Sequence, residues 1–125
     1  MATTTLTAND FESTVLENDI VLVDFWAAWC GPCRQFAPIF EKAAEDNPDI
    51  VFGKVDTEAE QALAQAASIS SIPTLMAFRE GVLVFSQSGA LPAPALEELI
   101  TAVRGLDMDD VRRQVERGPS ATAKP

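Results

Sequence analysis

The sequence predicts an α/β domain with a central mixed five-stranded sheet and helices on both faces, in the order β-α-β-α-β-α-β-β-α. Three observations carry this. Runs rich in β-branched and aromatic residues, Ile20–Ala27 foremost, alternate with stretches whose apolar residues recur at helical spacing. Two strand-like runs, Thr74–Arg79 and Val82–Gln87, are separated only by Glu80-Gly81 and read as a hairpin. The chain has 125 residues, enough for one core and one domain.

Thr3–Leu6 is a short strand candidate. Thr7 resembles a helix N-cap, with Asp10 three residues on, and the helix it opens carries Phe11, Val15 and Leu16 on one face. Ile20–Ala27 is nearly continuous in apolar residues, as for a strand covered on both sides, and its neighbours in the sheet are expected to be parallel. A second helix is expected from Cys33 to about Asn47, with Phe36, Ile39, Phe40 and Ala43 in register and a kink at Pro38. Val51–Asp56 reads as a strand, Glu58–Ala67 as an Ala-rich helix, and Ser68–Pro73 as a loop. Pro92 or Pro94 opens a last body helix with Leu96, Leu99, Ile100 and Val103 on its buried stripe.

The body is expected to span 1–106 and a C-terminal extension 107–125. Asp107 fits the cap of a further helix with Met108, Val111 and Val115 at helical spacing, stopped by Gly118-Pro119. Ser120–Pro125 is expected to be disordered.

Composition narrows the chemistry. Apolar residues make up 47% and charged residues 22%, a globular balance. Nine Lys and Arg against 19 Asp and Glu give a net charge of −10, which repels phosphate backbones and argues against a nucleic-acid partner. The four acidic and four basic residues of the extension cancel, so the body carries that charge. The lack of His excludes Cys–His and Ser–His–Asp pairs and any His-ligated metal. No Gly-rich phosphate loop is present, so no nucleotide is expected on the chain. Met1–Asp10 lacks the basic residues of an export or transit signal. The longest uncharged run, Gln61–Phe78, is 18 residues but holds two Gln, three Ser and a Pro, so no membrane span is expected. The expected setting is cytoplasmic, where paired cysteines are more often catalytic or metal-binding than structural.

The chemistry concentrates in Trp29-Cys30-Gly31-Pro32-Cys33, where the apolar strand ends and a helix begins. First-turn N–H groups and the helix dipole favour a thiolate at Cys30, the nucleophilic form in disulfide exchange. A second thiol three residues on attacks a mixed disulfide intramolecularly. Other readings compete with this redox centre. A structural disulfide closing so short a loop stabilises by about 2 kcal/mol, against about 4.7 kcal/mol for a 100-residue loop. A zinc site needs about four ligands, which only a dimer sharing its cysteines would approach. Inert buried cysteines are the third.

The run Asp24-Phe25-Trp26-Ala27-Ala28-Trp29-Cys30-Gly31-Pro32-Cys33 closely resembles the active-site segment of thioredoxins. The resemblance continues through Lys54-Val55-Asp56, Ile72-Pro73-Thr74 and Gly89-Ala90, and covers roughly 5–105. It implies the thioredoxin fold, Cys30 as attacking thiol and Cys33 as buried resolving thiol. Pro32 matches the spacer of reducing thioredoxins, where disulfide isomerases typically carry His. Asp24, inside an apolar strand, should have a raised pKa and matches the family's buried acid, which relays a proton for Cys33. The competing reading is a hydrogen-bonded structural Asp. Lys54 matches the lysine near that acid; from the residues alone it is a surface Lys at a strand start.

Ile72-Pro73 matches the cis-proline loop facing the cysteines, where the Ile72 backbone pairs with an extended substrate segment; a plain loop Pro is the alternative. Trp26 is expected in the core and Trp29 half exposed. Gly89 matches a contact position or is a simple turn residue. Trp29, Gly31, Pro32, Ile72 and Gly89 together would form an apolar docking patch.

The implied activity is reduction of protein disulfides by a monomer with no bound cofactor and no metal. A thioredoxin reductase, itself carrying flavin and using NADPH, would regenerate it. The alternatives are a thioredoxin-fold binding subunit, favoured only by the extension, and an oxidase or isomerase, weakened by Pro32.

Overall fold

The computed structural model describes residues 2–116. Five strands form one sheet: β1 (Thr4–Thr5), β2 (Ile20–Trp26), β3 (Val51–Asp56), β4 (Thr74–Arg79) and β5 (Val82–Ser88). Their order is β1-β3-β2-β4-β5. The helices are α1 (Phe11–Glu17), α2 (Gly31–Asp46), α3 (Gln61–Ala66), α4 (Ala93–Arg104) and α5 (Met108–Glu116). α2 continues as one helix through Pro38; the expected stop at Gly118-Pro119 and disorder at 120–125 lie outside the described residues.

β2 lies in the middle of the sheet, and its sides differ. It pairs parallel with β3 and antiparallel with β4, so the expectation of parallel neighbours holds on one side only. The cause is the β4–β5 hairpin, which brings β4 in from the opposite direction. A buried apolar run fits either partner, because it reports burial on both faces rather than strand direction.

Alternation along β2 divides the core. Leu22 faces Phe36 and Phe40 of α2 and Leu96, Ile100 and Val103 of α4. Val21, Val23 and Phe25 face the other side, with Val15 and, at its margin, Phe11 of α1 and Leu63 of α3. The Phe40 ring meets Phe52 nearly edge-on at 5.2 Å and Phe36 at 5.6 Å.

Helix α1 begins later than the sequence suggests. Ala8–Asp10 form a turn, and Asp10 accepts the Thr7 backbone N–H at 2.7 Å, one half of a capping box. Val15 is buried but Leu16 is 63% exposed, because the neighbouring position at i+5 lies at the margin of the stripe. Helix α3 also starts later, since the Asp56 carboxylate accepts the N–H groups of Glu58 and Ala59 and holds them in a turn.

The hairpin turn takes positive φ at both central residues, Glu80 (52°) and Gly81 (82°), the conformation that matches strand twist. Glu80 is an unusual residue there. Its N–H donates to the Asp19 carbonyl at 2.7 Å and its carboxylate pairs with Arg112 of α5. Arg79 beside it donates through Nη1 to the Val103 carbonyl at 2.7 Å and the Arg104 carbonyl at 3.2 Å, capping the end of α4. With Met108 buried, these contacts seat α5 at the hairpin end of the sheet. Arg79 is in register with Ile20, the first residue of β2. Helix α5 therefore sits opposite the end at which β2 delivers the cysteines.

Candidate active site at the start of helix α2

β2 ends at Trp26, and a short turn leads to Cys30, the N-cap of α2. Gly31 and Pro32 fill the first helical turn, where a missing proline N–H costs nothing. The N–H of Cys33 donates to Cys30 Sγ at 3.2 Å. Cys30 and Cys33 are joined as a disulfide, with Cα atoms 5.2 Å apart, so the structure is the oxidised state. Both cysteines are buried and pack with Ala27, flanked by Trp26 and Ile72.

Around this pair the expected patch residues differ in exposure. Trp29 is 67% exposed, more than the half expected, because it occupies the turn before the helix with no element over it. Trp26 is half-buried rather than in the core: it ends β2 beyond both main clusters and lies against the cysteines. Pro32 is exposed, and Gly31 and Ile72 are half-buried. The Ile72–Pro73 peptide is cis, and the Ile72 carbonyl oxygen stands 3.8 Å from Cys30 Sγ. Gly89, with φ of 103°, donates its N–H to the Pro73 carbonyl at 2.7 Å. A glycine suits that backbone, which L side chains rarely adopt.

Asp24 is fully buried in mid-β2, and neither carboxylate oxygen has a hydrogen-bond partner among the described residues. Desolvation pushes its pKa up to about 7, against the lowering effect of the Lys54 charge. The structural alternative, a hydrogen-bonded aspartate, does not fit these unpartnered oxygens. Asp24 shares the Leu22 face of β2, the face covered by α2, whose first buried residue is Cys33.

Lys54 is in register with Asp24 on the adjacent β3 and is half-buried in mid-strand, not at a strand start. Its Nζ lies 5.0 Å from the centre of the Trp26 ring. Among the described residues no group of three or more His, Cys, Asp or Glu is placed to hold a metal ion.

One contact escapes the sequence reading. Arg34 donates to the Ala28 carbonyl at 2.8 Å, bracing the turn that presents Trp29 and Cys30. The signal available in the sequence is its place in the first turn of a helix, directly after Cys33.

Comparison with known proteins agrees with this geometry. The thioredoxin family model matches residues 2–102. A Streptomyces coelicolor protein assigned as thioredoxin 2 is 62% identical over 114 residues, covering 91% of this chain and 85% of its own length. Thioredoxin-1 of Saccharomyces cerevisiae is 40% identical over 102 residues, covering 82% of this chain and 98% of its own. Among solved structures, a mutant thioredoxin from Halobacterium salinarum superposes with a TM-score of 0.77 at 35% identity, covering 82% of this chain and 91% of its own. No helix among the described residues is long and apolar enough to cross a membrane. The chain belongs to the thioredoxin family and is a protein-disulfide oxidoreductase with its Cys30–Cys33 pair in the active-site position.

Proposed function

We propose that this chain works as a cytoplasmic, monomeric reductase of protein disulfides, returned to its dithiol form by a flavin-containing, NADPH-dependent thioredoxin reductase. The observation that marks Cys30 as the nucleophile is its N-cap position, where its sulfur accepts the Cys33 N–H at 3.2 Å; the reducing direction rests on Pro32, the spacer residue of reducing thioredoxins. The Cys33 N–H and the start of the α2 dipole stabilise negative charge once the disulfide opens.

The Cys30 thiolate attacks one sulfur of a substrate disulfide. That bond breaks, a Cys30–substrate bond forms, and the other substrate sulfur leaves as a thiolate and is protonated. Cys33 then loses its proton and attacks Cys30 Sγ. The Cys30–Cys33 bond forms and the second substrate sulfur leaves as a thiolate; two electrons have passed to the substrate, with the Cys33 proton and one from solvent protonating its two sulfurs. Asp24 is the acceptor for the Cys33 proton. A pKa of about 7 leaves it part ionised at neutral pH, and it lies on the sheet face under α2. Lys54 keeps that pKa from rising further.

Trp29, Gly31, Pro32, Ile72 and Gly89 form the docking surface, and the buried Pro73 beneath it holds the Ile72 backbone. Trp29 gives apolar contact, and the Ile72 backbone receives an extended substrate segment beside Cys30. α5 takes no part in it, because it sits at the other end of the sheet.

The test adds the dithiol form to a disulfide-bonded protein and follows its reduction, with Cys30→Ser as control. Rapid reduction that disappears in the variant is expected. Slow reduction, or reduction that survives the substitution, overturns the proposal in favour of a binding subunit.

A further inference from the structure

Two segments flank the cysteines: loop 68–73, ending at the Ile72–Pro73 bond, and the stretch from Ser88, the last residue of β5, to Leu91 before α4. Three hydroxyls tie them together. Ser71 Oγ donates to Ser88 Oγ at 3.0 Å. Thr74 Oγ1 donates to the Ser71 carbonyl at 2.6 Å. Thr74 Oγ1 and Ser88 Oγ lie 3.4 Å apart. Each hydroxyl carries one proton, and those of Ser71 and Thr74 are committed, so the third contact has Ser88 as donor. The bonds then run in one sense around a closed ring: Ser71 to Ser88, Ser88 to Thr74, Thr74 to the Ser71 carbonyl. Each bond in such a ring polarises the next.

The ring closes on the backbone immediately before Ile72. Immediately after it, the Pro73 carbonyl accepts the Gly89 N–H at 2.7 Å. Ile72, whose carbonyl stands 3.8 Å from Cys30 Sγ, is thus held from both sides. Thr74 is buried, whereas Ser71 and Ser88 are exposed. A bond between exposed hydroxyls competes with water and adds little to global stability, so its effect is local.

We propose that Ser71, Ser88 and Thr74 are positioning residues that set the Ile72 backbone for protein substrates, and so govern affinity for extended disulfide-bearing segments rather than thiol chemistry itself. This rests on the reading of Ile72 as the substrate-pairing strip of a disulfide reductase. A protein substrate needs both Cys30 and a correctly placed backbone edge, whereas a small disulfide needs only Cys30.

The test measures kcat and KM for insulin and for hydroxyethyl disulfide, with dithiothreitol as reductant. It compares wild type, Ser71→Ala, Ser88→Ala, the double variant and Ser88→Thr. KM for insulin is expected to rise about threefold to tenfold in the alanine variants, the range of one or two modest hydrogen bonds. The double variant is expected to fall short of the product of the two single effects, because both break one ring. Ser88→Thr, which keeps the hydroxyl, is expected to recover most of the loss, and hydroxyethyl disulfide rates to change less than about twofold. An unchanged insulin KM, or an equal loss on both substrates, overturns the proposal. Wild type that fails to reduce hydroxyethyl disulfide through Cys30 instead overturns the reductase reading beneath it.

Discussion

Replacing Asp24 by Ala should make the protein more stable the higher the pH. The carboxyl has a pKa of about 7 in the folded chain against a reference of 3.8, a rise caused first by burial and partly offset by Lys54. Between those values the unfolded chain releases the proton while the folded chain keeps it, so native stability falls as pH rises. Roughly three units at 1.36 kcal/mol each amount to about 4 kcal/mol, fully expressed above the folded pKa and absent below the unfolded one. Asp24→Ala also leaves a small cavity, but that cost does not depend on pH. Glu41, held low by the Ala2 N–H, and Asp49, held low by Arg104, act alike in both proteins and cancel in the difference.

The assay is denaturant unfolding of oxidised wild type and variant from about pH 4 to about pH 9. The variant should gain about 4 kcal/mol relative to wild type across that range, with most of the change complete near neutrality. A difference that stays flat with pH would show that the buried carboxyl is not held protonated. The Asp24 proton role would then lose its physical basis. In the exchange reaction the same variant should be slower and less dependent on pH; an unchanged pH–rate profile removes the relay.

Cys33→Ser should stop the reaction after the first exchange, leaving substrate joined to Cys30 as an adduct visible by mass spectrometry under non-reducing conditions. Phe40→Ala removes a fully buried ring in contact with Phe36 and Phe52 and should cost about 3–5 kcal/mol in denaturant unfolding. Arg79→Met leaves the Val103 and Arg104 carbonyls without their side-chain donor. It should cost about 1–3 kcal/mol in the same measurement, with thiol exchange unaffected because Arg79 lies at the other sheet end.

The strands were the most legible part of the chain. Val51–Asp56 and Thr74–Arg79 occupy the ranges expected from their β-branched and aromatic content. The hairpin was legible because two residues between two such runs leave few other conformations. Helix starts were less so. α1 and α3 begin three residues after their expected positions because Asp10 and Asp56 capture nearby N–H groups in turns. Leu16 was misplaced because spacing alone does not show where a buried stripe ends.

The sequence by itself determined the chemistry available: two cysteines three apart at a strand-to-helix junction, no histidine, and one acid inside an apolar strand. Those follow from local pattern, and local pattern survives without knowledge of distant neighbours. Only the tertiary structure decided the direction of β4 beside β2 and the burial of Asp24 with no hydrogen-bond partner among the described residues. It alone placed the Ile72 carbonyl beside Cys30 and closed the hydroxyl ring from Ser71 to Ser88. These depend on residues 14 to 42 positions apart in sequence, brought together by sheet register, which no single segment encodes.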